Sequence, residues 1–232
     1  MSERVELTPA FVLHRRPYRD TSLLLELITP EHGRVGAVAR GARGPKSRLR
    51  GLLQPFLPLH CSWRGRGELA TLTHAEGGGP PLLLAPPSTL MGLYVNELLV
   101  RLWPRRDASP GLFQRYAHTL AALAGPDPEA ALRLFERDLL AALGYALVLD
   151  RDDTGTPLAP ERTYHCRPGH PPAAEGPGLP VPGEALLALA RGDLQPHHLA
   201  PLRRLTRAAL APLLGERPLR SRDLFRAYRH SA

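Results

Sequence analysis

A dense group of cations stands in the first third of the chain, in a stretch without a single acidic residue. Guanidinium and ammonium groups at this density neutralise phosphates and release condensed counterions, so the chemistry they offer is polyanion binding. The alternative, a solvated basic face without a ligand, stays open at this point. The group comprises Arg34, Arg40, Arg43, Lys46, Arg48, Arg50, Arg64 and Arg66.

The charge is unevenly spread along the 232 residues, and all but one of the 30 cations are arginine. The net formal charge is +5 over residues 1–76, −2 over residues 80–160 and +5 over residues 161–232. Arginine forms paired hydrogen bonds with a phosphate group and stacks on bases, which favours nucleic acid as the partner. A GC-rich genome would produce the same bias, so composition alone does not decide the partner.

The elements that must position these cations read as a small β-structure. Alternating apolar residues separated by Gly and Pro turns predict five short strands, and five strands in so few residues favour a closed barrel without unpaired edges. Two aromatic residues, Tyr18 and Trp63, are candidates for stacking on bases, although each is also a candidate for the core. The predicted strands are Ala10–His14, Ser22–Thr29, Arg34–Arg40, Pro55–Trp63 and Glu68–Ala75.

A glycine and proline cluster after residue 76 marks a domain boundary, beyond which the apolar period becomes helical. We therefore predict an α+β protein with domains at 1–79 and 80–232. The second domain is predicted to be helical, with an irregular Pro/Gly-rich insertion at about 150–182. The predicted helices begin near Ser88 and then cover Pro110–Leu123, a segment from Pro128 to Gly144, Gly183–Ala190, Pro196–Leu214 and Ser221–His230.

No catalytic motif appears in the sequence. Glu97, Glu136 and Asp138 stand beside arginines on predicted helices, which is typical of paired structural acids. A structural zinc site needs four ligands, commonly in close pairs, and the chain offers Cys166 and scattered histidines but no CxxC. We predict no catalytic site, no metal and no cofactor. A hydrolase hidden in residues 150–200 is an alternative, which a screen for metal-dependent nuclease activity would expose.

Short segments spread along the chain match those of one known family in order and spacing. They are Phe11-Val12-Leu13, Arg16-Pro17-Tyr18, Asp20-Thr21-Ser22-Leu23, Gly33-Arg34-Val35, Ala39-Arg40-Gly41-Ala42-Arg43, Leu53-Gln54-Pro55-Phe56, Arg66-Gly67-Glu68-Leu69, Tyr94-Val95-Asn96-Glu97-Leu98, Leu132-Arg133, Phe135-Glu136, Leu143-Gly144-Tyr145 and Pro218-Leu219-Arg220-Ser221-Arg222. Any one of these motifs is weak, but their order and spacing together are specific and cover nearly the whole chain except about 150–200. By this resemblance the chain is identified as a member of the RecO family of bacterial recombination mediators.

The resemblance implies an N-terminal OB-fold barrel followed by a helical domain. It also implies binding of single- and double-stranded DNA, annealing of complementary strands and loading of recombinase. The implied partners are RecR and the single-stranded DNA-binding protein, the latter through its acidic C-terminal tail. Many members carry a four-cysteine zinc module that this sequence lacks, so the chain resembles the zinc-free branch.

Two sets of candidate binding residues follow. An OB-fold tracks a single strand with basic loops and stacking aromatics, and the predicted DNA-binding residues are Arg34, Arg40, Arg43, Lys46, Arg48, Arg64, Arg66 and Tyr18. An acidic peptide with apolar residues needs an apolar groove with cations at its rim. The predicted tail-binding residues are Arg133, Arg101, Leu98, Leu102 and Phe135. The alternative for Arg101 and Arg133 is pairing with Glu97 and Glu136 one helical turn away.

Composition indicates where the protein acts, and a second alternative function stays open beside the hydrolase. Two cysteines are too few for a disulfide framework, residues 1–9 lack the apolar region of a signal peptide, and no apolar run nears the roughly 20 residues of a membrane span. We expect a cytoplasmic, nucleoid-associated protein without a membrane partner. An equally basic RNA- or ribosome-associated OB protein is the alternative, and preference for strands bearing 2′-hydroxyl groups would separate the two.

Overall fold

The computed structural model describes residues 4–65 and 67–231, which divide into two compact units. The first unit runs to Ala124 and takes in the chain again from Leu219 onward, whereas the second runs from Gly125 to Pro218. None of the described helices is both long and apolar enough to cross a membrane.

Strands make up the barrel of the first unit and a hairpin of the second. They are β1 (Arg4–Tyr18), β2 (Ser22–Thr29), β3 (Gly33–Ala39), β4 (Leu59–Arg64), β5 (Ala70–Gly77), β6 (Thr163–Cys166) and β7 (Leu179–Pro182). The first five close into a barrel in the order β1-β2-β3-β5-β4. Neighbours in the barrel are antiparallel except β3 and β5, which run parallel. The predicted five-stranded OB-fold barrel is confirmed.

Strand β1 is much longer than the predicted segment Ala10–His14 and spans 15 residues. Its first part pairs with β4 and its second part with β2, and the register shifts once in each pairing. Each irregularity shifts side chains to the other face of the strand, because the side-chain period is two. The apolar alternation is therefore interrupted towards both ends of β1, so the sequence pattern predicts only the middle of the strand.

Both faces of β2 are buried. Leu25 and Leu27 point into the barrel core, where they join Val12, Val35 and Trp63 at no more than 5% exposure. The opposite face is buried as well, since α3 (Pro110–Leu123) packs against β2 from outside. A strand covered on both sides reads as a nearly continuous apolar run, which is how β2 reads in the sequence.

One short helix lies between β3 and β4, and the other helices follow the barrel strands in the chain. The helices are α1 (Leu49–Leu52), α2 (Pro86–Leu102), α3 (Pro110–Leu123), α4 (Pro128–Ala142), α5 (Gly183–Arg191), α6 (Pro196–Leu214) and α7 (Arg220–Ser231). Helices α3 and α6 have the predicted bounds. Helix α3 begins where the side chain of Ser109 accepts a hydrogen bond from the backbone N–H of Leu112, with Pro110 in the first turn.

Polar and aromatic contacts fix α2 and α3 to the barrel. The side-chain amide of Asn96 donates to the carbonyl of Leu13 at 2.9 Å, and the hydroxyl of Tyr116 donates to Asn96 at 2.7 Å. The ring of Tyr116 also meets that of Phe11 edge-on at 5.3 Å. All four residues are buried, so β1, α2 and α3 form one packed layer.

Helix α7 returns to the first unit through a carboxylate on α2. The Glu97 side chain accepts hydrogen bonds from the backbone N–H groups of Arg220 and Ser221, at 2.9 Å each, and from the Ser221 hydroxyl at 2.6 Å. A carboxylate at this position satisfies otherwise unpaired N–H groups and suits the positive end of the helix dipole.

The second unit consists of α4, α5 and α6 with the β6–β7 hairpin. The hairpin lies inside the segment predicted to be irregular, with Tyr164 paired to Val181. That prediction needs correction: the strands are four residues each and their connection is long and rich in Gly and Pro, so no alternation is visible. The core of the unit gathers Tyr164, Cys166 and Val181 with apolar residues of α5 and α6.

The two compact units divide the chain differently from the predicted domains. The predicted boundary at residue 79 lies two residues past the last barrel strand, but α2, α3 and α7 pack with the barrel. The helical region therefore contributes to both units, because the apolar face of α2 is buried partly by β1 and partly by α7.

Candidate nucleic-acid interface

One end of the barrel carries the loop that follows β3. Tyr18 pairs with Ser22 at the β1–β2 turn, and Leu23 pairs with Ala39, so the chain leaves β3 beside that turn. The backbone N–H of Arg43 donates to the carbonyl of Thr21 at 2.8 Å. The Arg43 guanidinium reaches two further carbonyls of the same turn at 3.3 Å each. These contacts tie the cationic loop to the β1–β2 turn.

Exposed cations therefore collect at this end of the barrel. Four of the predicted DNA-binding residues lie in the loop, and their side chains are exposed. Two exposed arginines of β1 and its turn, Arg16 and Arg19, stand beside the loop and were missed because they precede the acid-free stretch. We call this set the basic end of the barrel: Arg16, Arg19, Arg40, Arg43, Lys46 and Arg48.

The two candidate stacking residues have different surroundings. Tyr18 is half-buried, and the Arg19 guanidinium lies over its ring at 5.3 Å from the centroid. Trp63 is only 3% exposed, belongs to the barrel core and meets the His32 ring edge-on at 5.3 Å. Trp63 therefore has no free face for a base, whereas Tyr18 keeps its place among the candidates.

Arg34 is not a free surface cation, which corrects its place in the predicted set. Its guanidinium donates to Glu26 at 2.8 Å and to the carbonyl of Trp103 at 2.8 Å. The side chain is 14% exposed and that of Glu26 is 11% exposed. Arg105 binds the other oxygen of the same carboxylate. A guanidinium engaged in this way supports the barrel wall, so we remove Arg34 from the proposed contacts.

Of the two remaining predicted cations, only Arg64 lies within the described residues, at the start of the β4–β5 loop. Arg64 is exposed at the end of β4, where it pairs with Arg4 of β1 and Thr71 of β5. It thus lies beside the start of β1, while the basic end of the barrel adjoins the end of β1. Arg66 lies outside the described residues. The acid-free stretch therefore supplies cations to two places on the barrel.

The predicted tail-binding residues do not all line a surface. Leu98 and Phe135 are fully buried, while Arg101 and Leu102 are half-buried. Leu98, Arg101 and Leu102 belong to the first unit, and the other two residues belong to the second. Leu98 and Phe135 are core residues, because the apolar stripes that made them candidates are the packed faces of their helices.

Arg133 sits in the interior of the second unit, 3% exposed. Its guanidinium donates to Glu136 at 3.0 Å, which is the pairing weighed as the alternative to a binding role. Within the described residues, its Nε and Nη1 groups have no hydrogen-bond partner. Buried N–H groups left unpaired are costly, and a carboxylate ligand would satisfy them.

Three groups of metal-ligand type meet in the second unit. Donor atoms of Glu184, His197 and His198 lie within 4.8 Å of one another. The Nδ1 atom of His198, however, accepts the backbone N–H of Gln195 at 3.0 Å and so caps α6. Burial and the neighbouring His197 lower the pKa of His198, which keeps its ring neutral for this role. Helix capping accounts for the position of His198.

Neither cysteine has the surroundings of a reactive thiol. Burial raises the pKa of Cys61 to about 12 and that of Cys166 to about 11. Both residues are buried in a core, one in each unit. A nucleophilic or metal-binding cysteine needs a thiolate, so these two are apolar packing residues.

Comparison with known proteins agrees with this architecture. The family model described as "Recombination protein O N terminal" matches residues 1–79, and "Recombination protein O C terminal" matches residues 86–223. Relatives named DNA repair protein RecO include those of Nitrosococcus oceani, 47% identical over 97% of this chain and 95% of the relative, and Alkalilimnicola ehrlichii, 49% identical over 97% and 92%. A relative of that name from Pseudomonas aeruginosa is 48% identical over 93% and 92%. The chain therefore belongs to the RecO family.

Proposed function

We propose that this protein acts in recombinational DNA repair as a non-catalytic mediator that binds single- and double-stranded DNA and anneals complementary strands. The observation that carries the proposal is the basic end of the barrel, where Arg43 ties a cationic loop to the β1–β2 turn. Loops at the end of an OB-fold barrel that are rich in Arg can follow a phosphate backbone regardless of base sequence. The relatives named DNA repair protein RecO support the part of the proposal that concerns DNA repair.

Annealing by this chain requires only charge screening. Two strands repel each other through their phosphates, and cations held on one rigid surface reduce that repulsion while the bases pair. The proposed contacts are Arg40, Arg43, Lys46, Arg48 and Arg64, with Tyr18 as the stacking residue. No nucleotide hydrolysis or metal enters this mechanism, so we propose that the protein is not an enzyme.

The proposed partners are RecR and the single-stranded DNA-binding protein, with which the chain would help load recombinase at the nucleoid. Support for an acidic tail as ligand comes from Arg133, whose Nε and Nη1 atoms lack a hydrogen-bond partner within the described residues and could donate to the two oxygens of a carboxylate. Because Arg133 is buried, the tail must displace part of its covering or replace Glu136 as acceptor. Arg101 on α2 is a separate candidate for the same peptide.

A salt titration with labelled single-stranded DNA tests the proposal. With five phosphates engaged, log K should fall against log salt with a slope of about −3.5, and the slope should not depend on base sequence. Annealing of complementary strands should proceed in chelator and without ATP. A need for ATP or for a divalent metal would contradict a non-catalytic role, and tighter binding to an RNA strand of the same sequence would favour the RNA-associated alternative.

A further inference from the structure

We propose that the loop between α2 and α3 positions the β4–β5 loop for DNA, with Arg105 and Arg106 as the positioning residues. The DNA part of this inference rests on the function proposed above. The β4–β5 loop begins directly after Arg64, one of the proposed DNA contacts, so whatever holds the backbone of this loop also holds the chain beside Arg64. Three sets of contacts carry the inference.

The first set lies along β3. Strand β5 pairs with β3 only at Ala37 and Val38. On the earlier part of β3, the α2–α3 loop makes the pairing instead: Arg105 forms a parallel bridge with Arg34, and the N–H of Arg106 donates to the Arg34 carbonyl at 2.9 Å. The loop therefore extends the barrel wall where β5 does not reach.

Two glycines of β3 allow this close approach. A Cβ atom at Gly33, which has a φ of +61°, would lie 2.1 Å from the carbonyl oxygen of Asp107. A Cβ at Gly36 would lie 2.9 Å from the carbonyl oxygen of Glu68 and 3.2 Å from the Arg105 guanidinium carbon. Side chains at either position would push the two loops away from the barrel.

The second set joins the two loops directly. The Arg106 guanidinium donates to the carbonyl of Gly67 at 2.6 Å, and Arg105 donates to that of Glu68 at 3.4 Å. Arg106 has a φ of +62°, a conformation that costs energy in a residue with a side chain. Its neighbours must hold it there, and the result is that its guanidinium meets the β4–β5 loop.

The third set anchors the α2–α3 loop itself. Glu26 holds Arg34 and Arg105 on its two oxygens, and Arg34 also binds the carbonyl of Trp103. The indole N–H of Trp103 donates to the Asp107 carbonyl at 2.9 Å and closes the turn. The positioning loop is thus fixed at both ends before any ligand arrives. A binding loop ordered in advance loses less conformational entropy on binding.

Arg106→Gln and Arg106→Lys test the proposal, with Arg115→Gln on α3 as the control for loss of one exposed cation. In free protein, hydrogen exchange of the amides from Gly67 to Leu72 should rise about tenfold or more in Arg106→Gln, less in Arg106→Lys, and not in the control. Single-stranded DNA affinity should fall in the same order, by about three- to tenfold in Arg106→Gln. Unchanged exchange would overturn the proposal.

A double-mutant cycle separates positioning from direct contact. If Arg106 acts through the β4–β5 loop, adding Arg106→Gln to Arg64→Gln should cost less DNA affinity than Arg106→Gln costs alone. Additive losses would mean that Arg106 meets phosphate by itself and would overturn its positioning role. If the wild-type protein binds no DNA, the proposed function fails and this inference with it, whereas the exchange result would still report the contact between the loops.

Discussion

The Arg34 guanidinium donates to Glu26 across 2.8 Å in a place where both side chains are nearly buried. In the sequence, Arg34 opens the acid-free run of cations, and nothing there distinguishes it from Arg40 or Arg43. In the barrel it faces an acid of the neighbouring strand and the carbonyl of Trp103. Arginine therefore stabilises the barrel wall at position 34, whereas at positions 40 and 43 it lies on the surface of the barrel.

Arg34→Gln should lower the free energy of unfolding by about 2 kcal/mol, because Glu26 loses one of its two guanidinium partners and keeps Arg105. Urea unfolding measures the change. Arg48→Gln, an exposed cation, is the matched control and should stay within about 0.5 kcal/mol of the wild type. The salt slope of DNA binding should be unaffected in Arg34→Gln; a slope shallower by about 0.7 with unchanged stability would return Arg34 to the DNA contacts.

Reversing Arg43, Lys46 and Arg48 to Glu should weaken binding to every DNA sequence alike. Two of the five proposed phosphate contacts would remain, so the salt slope should flatten from about −3.5 to −1.4 or less steep. The control carries the same charge change on α6, at Arg203, Arg204 and Arg207, and should bind nearly as the wild type does. If the control loses binding and the barrel variant keeps it, the DNA lies on the basic C-terminal segment from Arg203 to Arg229.

Docking of α7 should depend on pH through Glu97. Burial opposes ionisation of Glu97, but hydrogen bonds from Ser221 and Arg220 and the charge of Arg101 outweigh it and lower the pKa. A lowered pKa contributes stability that is complete above the unfolded value of about 4.3 and is lost as the pH falls through the folded value. Exchange of α7 amides should therefore accelerate below about pH 4.3.

Glu97→Gln should remove this acid transition. It should also cost about 1 kcal/mol at neutral pH, since the carboxylate is only partly shielded from water. Melting curves at neutral and acidic pH measure both effects, and Glu6→Gln, on an exposed strand position, is the control. The same pH dependence in Glu97→Gln as in the wild type would assign the transition to other groups.

Binding of an acidic tail peptide should depend on Arg133. Arg133→Ala should reduce peptide affinity about tenfold or more, as expected for loss of charged hydrogen bonds, with DNA affinity nearly intact. It should also destabilise the second unit by about 3 kcal/mol, because it leaves the buried Glu136 carboxylate without its guanidinium. Arg133→Lys is therefore measured beside it, since lysine keeps the positive charge but cannot donate the paired hydrogen bonds of the guanidinium group. Peptide binding at wild-type strength in both folded variants would exclude this site.

Purified protein should contain less than one zinc per chain by elemental analysis. Cys166 lies in the core of the second unit with its thiol protonated, so it contributes packing. Because Cys166 is only 4% exposed, Cys166→Ser should lower the free energy of unfolding by about 1–2 kcal/mol and leave DNA binding intact. Cys166→Ala, which buries no hydroxyl, is the control. One tightly held zinc per chain would contradict the prediction.

The sequence predicted the bounds of those helices and strands whose ends carry capping or turn residues. Helix α3 begins at a serine cap followed by proline, and Ser22–Thr29 is a nearly continuous apolar run, interrupted by Glu26, with a turn on each side. Both were therefore predicted with the bounds that the structure has. The β6–β7 hairpin and the ends of β1 were not predicted, because short strands and register shifts leave no regular period.

The candidate site was predicted only in part, because the role of a cation depends on what faces it. Arg40, Arg43, Lys46 and Arg48 are exposed as expected, since their loop is too polar to be packed. Arg34 pairs with Glu26, which also binds Arg105. Arg105 and Glu26 are 79 residues apart in the chain. Composition and spacing carry no information on a contact at such a separation, and Arg105 and Arg106 were missed for the same reason.

The return of α7 to the first unit has a consequence for synthesis. The ribosome makes the barrel, α2 and α3 early, but the helix that covers part of α2 and binds Glu97 is made only after the whole second unit. Until then the nascent chain exposes an apolar face on α2. Translation that stops near Pro218 should therefore yield a protein with both cores formed but with the apolar face of α2 exposed. Chaperones should bind this exposed apolar surface.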